Sequence, residues 1–453
     1  MNYEESVRFL LSLGKELAAP QQASVQKFHL ENIRVLAEYL GQPHRAVPCA
    51  HVAGTNGKGS TAAMLESILR ASGFSTGLFT SPHLERINER IAFSGEQISD
   101  SEFAGEFTRV HAAIERLLAS GELAAHPTFF ECVTAMAFDA FAHRRLGFAV
   151  YETGMGGRLD STNIVAPEVA IITQVDFDHE NFLGHSIPEI AAEKAGIIKP
   201  GGWVVSAVER PEARAVIAQR AANVSARLVE VEDFWRVDDI RSQNGCYHAA
   251  ATESGSGTRL TLEIPLPGRF QIRNALAAAA AARLLAGRGF AINPSAIEEG
   301  IRRVRWPGRL EQMSSDPAVF LDGAHNPASA RELARFIQQH LSERRIWLIF
   351  AALRDKAVDE IADLIFPHVH QVFFTQPAQS RAISAPLLAE MTSHLAEHFE
   401  IVADPIQALH RALSLAAPAD VILITGSLYL VGCLRAQLAP SRAIADAGSR
   451  AAK

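Results

Sequence analysis

Apolar residues follow two alternating rhythms along this chain. Short runs of β-forming residues at 47–52, 74–80, 148–152, 169–173 and 203–208 read as strands. Between them, apolar positions return every three or four residues at 62–69, 101–118, 131–143 and 187–195, as in helices with one buried face. Residues 3–40 have helical spacing too, with a second helix expected over 32–40. Strand and helix in alternation predict a parallel sheet with helices packed on it. Residues 225–266 break the rhythm: they alternate and carry the turns Ser242-Gln-Asn-Gly245 and Glu253-Ser-Gly-Ser-Gly257, which predicts a small antiparallel β section. The Ala-rich stretch 275–285 is too short to span a bilayer and reads as a buried helix. Past Arg302-Arg-Val-Arg-Trp-Pro307 the alternation restarts, with strands expected at 318–322, 346–351, 369–375 and 421–425 and the clearest helix at 327–340.

Composition narrows the class. At 453 residues the chain exceeds one typical core, so two domains are expected, 1–301 and 302–453. It is 48% hydrophobic and 21% charged, the balance of a globular enzyme. A net charge of −7 without a basic block argues against a nucleic-acid binder. Four widely spaced cysteines form no C-x-x-C pair, so neither a disulfide framework nor a cysteine zinc site is expected, and reduced thiols in a cytoplasm fit. The N-terminus lacks the basic-then-apolar order of a signal peptide, and no membrane partner is expected.

The chemistry centres on Gly54-Thr55-Asn56-Gly57-Lys58-Gly59-Ser60. A strand precedes it and a helix follows, so backbone N–H groups and the helix dipole converge where an anion would sit. Lys58 would reach the terminal phosphates of a nucleotide, and Ser60 or Thr61 an accompanying Mg²⁺. The loop departs from the general phosphate-loop pattern: Val52 stands where a first Gly is usual, and Gly59 separates Lys58 from the hydroxyl residue. Further polar residues stand at expected strand ends, where ligands of parallel sheets bind. Ser81, before Pro82, is either a turn residue or a hard-oxygen Mg²⁺ ligand. Glu152 reads as a metal-binding carboxylate. The glycines that follow it, in Thr153-Gly-Met-Gly-Gly-Arg158, lack the sixth-place Gly of a dinucleotide fingerprint. Asp176, Asp178, His179 and Glu180 suit a metal site or a solvated acidic turn. Asn274, ahead of the Ala-rich stretch, reads as a helix cap.

The Gly54–Ser60 loop resembles the nucleotide loop of the Mur ligase superfamily. The added Gly59 and the Ser81-Pro82-His83-Leu84 stretch resemble its folate branch, the folylpolyglutamate synthase and dihydrofolate synthase family, with matching motifs in order from about Lys27 to Tyr429. That resemblance implies an N-terminal ATPase domain with a P-loop-type parallel sheet and a C-terminal Rossmann-like α/β domain. It implies an ATP- and Mg²⁺-dependent amide ligase joining L-glutamate to dihydropteroate and reduced folates through an acyl phosphate, with the cleft between two domains closing before chemistry. The matching residues would bind ATP (Gly54, Thr55, Asn56, Gly57, Lys58, Gly59, Ser60, Asn274, Arg309, Asp322) and metal (Ser81, Glu152, His179 and a carbamylated Lys194). Lys58, His179 and Lys194 would act catalytically. Lys27, Phe28, Thr128, Phe129 and Phe130 would meet the pterin, although His29 stands where the family usually has Gly, and Phe28 reads equally as a core residue. Asp322, His325, Ser427 and Tyr429 would take the incoming glutamate. Family members are mostly monomers, which sets the expectation here.

Overall fold

The computed structural model describes residues 1–14, 29–243 and 245–438. The positions expected to meet a pterin at Lys27 and Phe28 lie outside the described residues. The chain divides into two compact units, Met1–Pro265 with Phe270–Trp306, and Leu266–Arg269 with Pro307–Lys453.

The first unit is built on eight strands: β1 (Cys49–Ala53), β2 (Thr76–Phe79), β3 (Ile91–Phe93), β4 (Glu96–Gln97), β5 (Phe148–Glu152), β6 (Val169–Ile172), β7 (Trp203–Ser206) and β8 (Arg227–Glu230). Their order is β4-β3-β2-β5-β1-β6-β7-β8. All neighbours are parallel except β2-β3 and β3-β4. Strands β1, β2, β5, β6 and β7 are buried on both faces because helices cover both. Cys49, Tyr151, Ala170, Ile172 and Val204 belong to cores shared with the helices Asp100–Ser120, Phe129–His143, Ile187–Ala195 and Pro211–Asn223. The opposite face, with Val52, Leu78, Val150, Ile171 and Val205, is buried as well. There the helix Lys58–Ala71 packs on β1, β2 and β5, and the helix Phe270–Gly287 on β6 and β7.

The strand after the Lys58–Ala71 helix is not β1's neighbour, because β5 lies between β1 and β2. The chain then crosses to β6 on β1's other side. The connections therefore diverge about β1, which opens a crevice at its carboxyl end.

The antiparallel section holds β9 (Trp235–Gln243), β10 (Cys246–Glu253) and β11 (Arg259–Ile264) in the order β11-β10-β9. It is smaller than expected, since Arg227–Glu230 joins the parallel sheet as its last strand. That edge strand is only half covered, and its alternation is what made it resemble the section that follows.

Helix Pro294–Arg303 crosses Lys58–Ala71 closely at Gly300, where a Cβ would come within 2.4 Å of the Ile68 Cα. Ser67 Oγ donates to the Gly300 carbonyl at 2.6 Å. A Gly300→Ala substitution is expected to destabilise the first unit by about 1–3 kcal/mol through overpacking. A lowered thermal midpoint would record this, and an unchanged one would refute the close crossing.

The second unit has β12 (Glu311–Ser315), β13 (Ala318–Leu321), β14 (Ile346–Phe350), β15 (Gln371–Phe374), β16 (Phe399–Ile401) and β17 (Val421–Thr425). They run in the order β12-β13-β17-β14-β15-β16 and are parallel except at β12. The helices Pro327–His340, Val358–Ile365, Ala385–Thr392, Pro405–Leu415 and Leu428–Leu438 lie between and after them. Among the described residues, no helix is long and apolar enough to cross a membrane.

Candidate active site

The crevice at β1 is lined by the Gly-rich loop. Gly57 stands at φ +85°, a backbone conformation that only glycine adopts readily, and a Cβ there would meet Asn274 Oδ1 at 2.4 Å. The turn aims the start of helix Lys58–Ala71 at the crevice. Gly59 lies beneath the Trp306 indole, whose Cζ2 would be 2.9 Å from a Cβ.

The loop is fastened to the end of β6. Thr55 N–H donates to the Gln174 carbonyl at 2.6 Å, and Thr173 Oγ1 donates to the Asn56 carbonyl at 2.7 Å. Thr55 Oγ1 donates to the Asp176 carbonyl and accepts the Asp176 N–H. These fasteners were not foreseen from the sequence. The polar run Thr173-Gln174 directly after an apolar strand was the available signal.

Two lysines converge on one carbonyl. Lys58 Nζ donates to the Gly54 and Thr55 carbonyls, both at 3.0 Å, and Lys194 Nζ donates to the same Gly54 oxygen at 2.9 Å. Lys194 is only 3% exposed. Burial, and secondly the charge of Lys58, push its pKa down to about 7, while Asp178, Asp160 and Glu193 oppose the shift. A lysine that stays half neutral near pH 7 is a reactive amine.

Lys194 sits near the end of helix Ile187–Ala195, which is braced by the second Gly-rich loop. Arg158 N–H donates to the Glu193 carbonyl at 2.7 Å, and Asn163 Nδ2 donates to the Gly196 carbonyl at 3.1 Å. A Cβ at Gly157 would meet the Glu193 carbonyl at 2.9 Å. The glycines of residues 153–163 thus let the loop lie flat on the helix that carries Lys194.

Glu152 ends β5 with a buried carboxylate that accepts the Ser81 N–H at 3.1 Å. Among the described residues, the buried Thr61 hydroxyl of the first helical turn has no hydrogen-bond partner. Carboxylate and hydroxyl oxygens are a donor set that suits a hard divalent cation. His179 has φ 52° at the start of a short helix, with its Nε2 3.8 Å from Asp178 Oδ2. Asp178 in turn acts on Lys194 electrostatically, which links the two positions.

Asn274 lies inside helix Phe270–Gly287 and therefore does not cap it. Its Nδ2 donates to Gln271 Oε1 at 2.9 Å, and Gln271 Nε2 donates to Ser60 Oγ at 3.4 Å, so this helix reaches the loop through polar side chains. Thr128 caps the next helix in a reciprocal box with Glu131. Phe129 is buried, with the Arg90 guanidinium 5.1 Å from its ring centroid. Phe130 packs against Phe79 at 5.9 Å between ring centroids and lies over Gly154.

The second unit gathers its own polar residues at strand ends. Asp322 follows β13 and accepts N–H groups from Leu310 and Ala324, both at 2.9 Å. Burial raises its pKa, against the pull of the nearby Arg309. Arg309 donates to the Gly308 carbonyl, and His325 Nδ1 is 2.7 Å from the Gly323 carbonyl. Ser427 is buried just beyond β17, where its hydroxyl accepts the Tyr429 N–H at 3.3 Å.

Residues 52–282 match the Mur ligase middle domain, and residues 308–428 match the Mur ligase glutamate ligase domain. The chain is 35% identical over 422 residues to the dihydrofolate synthase/folylpolyglutamate synthase of Bacillus subtilis, covering 90% of this chain and 94% of that one. It is 34% identical to the folylpolyglutamate synthase of Lacticaseibacillus casei, covering 97% and 99%. Its fold is similar to that of Mycobacterium tuberculosis folylpolyglutamate synthase complexed with ADP and AMPPCP, with TM-score 0.87, 31% identity and coverage of 96% and 99%. The chain belongs to the dihydrofolate synthase/folylpolyglutamate synthase family of Mur ligases.

Proposed function

We propose that this protein is an ATP-dependent ligase that joins L-glutamate to dihydropteroate and to reduced folates, giving dihydrofolate and folylpolyglutamates. The carrying observation is the pair Lys58 and Lys194 donating to one carbonyl of a Gly-rich loop at the end of β1. Such a pair concentrates positive charge where a nucleotide's phosphates meet backbone N–H groups.

A carboxylate is a poor electrophile, and transfer of a phosphoryl group to it supplies a leaving group. The glutamate amine then forms the amide bond as the acyl–phosphate bond breaks and phosphate leaves. Two anions must approach for the first step, so charge has to be neutralised. Lys58 takes the terminal phosphates, with Thr55, Asn56, Gly57, Gly59 and Ser60 shaping the cradle and Asn274 bracing it. Ser81, Glu152, His179 and a carbamylated Lys194 would hold Mg²⁺, which when bound offsets phosphate charge. In the second unit we assign Arg309 and Asp322 to the nucleotide, and Asp322, His325, Ser427 and Tyr429 to glutamate. Thr128, Phe129 and Phe130 are assigned to the pterin, with Lys27 and Phe28 carried over on resemblance alone. We divide the roles between residues 1–301 and 302–453, and read the protein as a cytoplasmic monomer.

The runner-up is a folylpolyglutamate synthase without dihydropteroate activity, favoured by His29 in place of the family's usual Gly. A cell-wall Mur ligase is disfavoured by Lys58-Gly59-Ser60 and by Ser81-Pro82-His83-Leu84. Phosphate release separates the three when measured with L-glutamate plus dihydropteroate, with L-glutamate plus tetrahydrofolate, and with a cell-wall precursor and its amino acid. Turnover is expected with both pteridine substrates. Turnover with tetrahydrofolate alone would refute the bifunctional reading, and none with either would refute the folate assignment.

A further inference from the structure

A second cluster of ligand-type side chains contains none of the residues assigned above, although His126 stands two residues before Thr128. His111 and Glu115 stand one turn apart on helix Asp100–Ser120, and His126 lies in the loop leading to helix Phe129–His143. One ligand atom from each lies within 4.8 Å of the other two.

The tautomer of His126 follows from its neighbour. Its Nδ1 is 2.7 Å from the Pro127 carbonyl oxygen, a pure acceptor, so the proton sits on Nδ1. In the neutral ring Nε2 then carries a lone pair, and among the described residues this buried atom has no hydrogen-bond partner. His111 Nδ1 is also buried without a hydrogen-bond partner among the described residues. It stands 4.0 Å from Glu115 Oε1, beyond hydrogen-bond length. Two buried imidazole nitrogens in one small space, both unsatisfied, are costly to keep.

Both rings are held in place. His111 stacks on Phe107 with centroids 5.6 Å apart and 16° between planes, and Phe9 packs against His111 at 4.7 Å and His126 at 5.6 Å. The Glu115 side chain is 59% exposed.

We propose that His111, Glu115 and His126 form a binding site for one divalent ion of the Zn²⁺ class. With metal–ligand bonds of about 2.0–2.1 Å, the ligand atoms of a tetrahedral site stand about 3.4 Å apart, so the three side chains draw together as the ion enters. Two imidazoles select a borderline ion over Mg²⁺, which prefers oxygen and water. The Nδ1–H of His126 on the Pro127 carbonyl is the outer contact that orients such a ligand. The ion ties the loop before Phe129–His143 to the preceding helix, and a water fills its fourth position.

The test uses the full chain, stripped with chelator and then saturated with Mg²⁺ and ADP to occupy the nucleotide site. Zn²⁺ binding is measured by equilibrium dialysis with metal analysis, and Co²⁺ serves as a spectroscopic probe of geometry. Wild type is expected to take up one Zn²⁺ that His126→Gln and Glu115→Gln each weaken by at least 10- to 100-fold, the loss typical of even an outer-shell change. The Co²⁺ form is expected to show the intense visible bands of a tetrahedral site, lost in both variants. Unaltered Zn²⁺ affinity in the variants, or no saturable uptake by wild type, overturns the site. Glu115 is exposed, so Glu115→Gln decides the matter even if His126→Gln fails to fold.

Discussion

Lys58→Ala is expected to fold normally and to lose turnover by about 10²–10³-fold, the loss that follows removal of one main donor to developing charge. The side chain is half-buried and donates to two backbone carbonyls rather than packing in a core. Thermal melting should therefore change little while phosphate release collapses. A second consequence follows from the Gly54 carbonyl that Lys58 shares with Lys194. The Lys58 charge is one reason the Lys194 pKa lies low, so its removal should let that pKa rise. Near-normal turnover in Lys58→Ala would sink the phosphate cradle.

The second large effect concerns Lys194. A protonated amine repels Mg²⁺, whereas its carbamate offers oxygen atoms. The amine attacks CO₂, a C–N bond forms and a proton leaves, which requires the neutral amine. With the pKa near 7, the neutral fraction grows as pH rises through 7. Activity should therefore fall below that pH and depend on dissolved CO₂. Lys194→Ala should lose most activity, and a short carboxylic acid in excess should restore part of it. Unchanged turnover with unchanged Mg²⁺ dependence would leave Lys194 a structural lysine.

The same shift has a stability sign. A pKa lowered from 10.5 to about 7 means the unfolded chain binds more protons between those values. In the unmodified protein, stability contributed at this position rises with pH across that window and is lost as pH falls to 7. Lys194→Met should flatten this part of the profile, as read from urea midpoints. A profile with the wild-type slope would count against the buried neutral amine.

Much of this was legible in the sequence because parallel strands buried on both faces are written as apolar runs. The run at 421–425 coincides residue for residue with strand Val421–Thr425. β1 begins later than its apolar run suggests, at Cys49, because Pro48 has no N–H to donate to the ladder. Phe270–Gly287 starts before its alanines do, and this places Asn274 inside the helix. Pairing across the sheet was not legible. No local pattern reveals that β5 separates β1 from β2, or that Leu266–Arg269 joins the second unit. The convergence of Lys58 and Lys194 on Gly54 spans 140 positions of sequence and emerges only from the fold.

The outer strands of the two large sheets bear on self-association. A bare strand edge can template pairing with another chain. In the first unit one edge is the two-residue strand Glu96–Gln97, exposed and acidic. The other, Arg227–Glu230, is bordered by the ion pair of Arg214 with Glu230. In the second unit Glu311–Ser315 is polar except at Met313. Phe399–Ile401 is the apolar exception, with Phe399 and Ile401 exposed. It is three residues long, and Glu400 between them is held by Arg411. A foreign strand adding there would gain few ladder bonds and meet a charge in their midst, which makes this margin of the molecule a poor seed for cross-β growth.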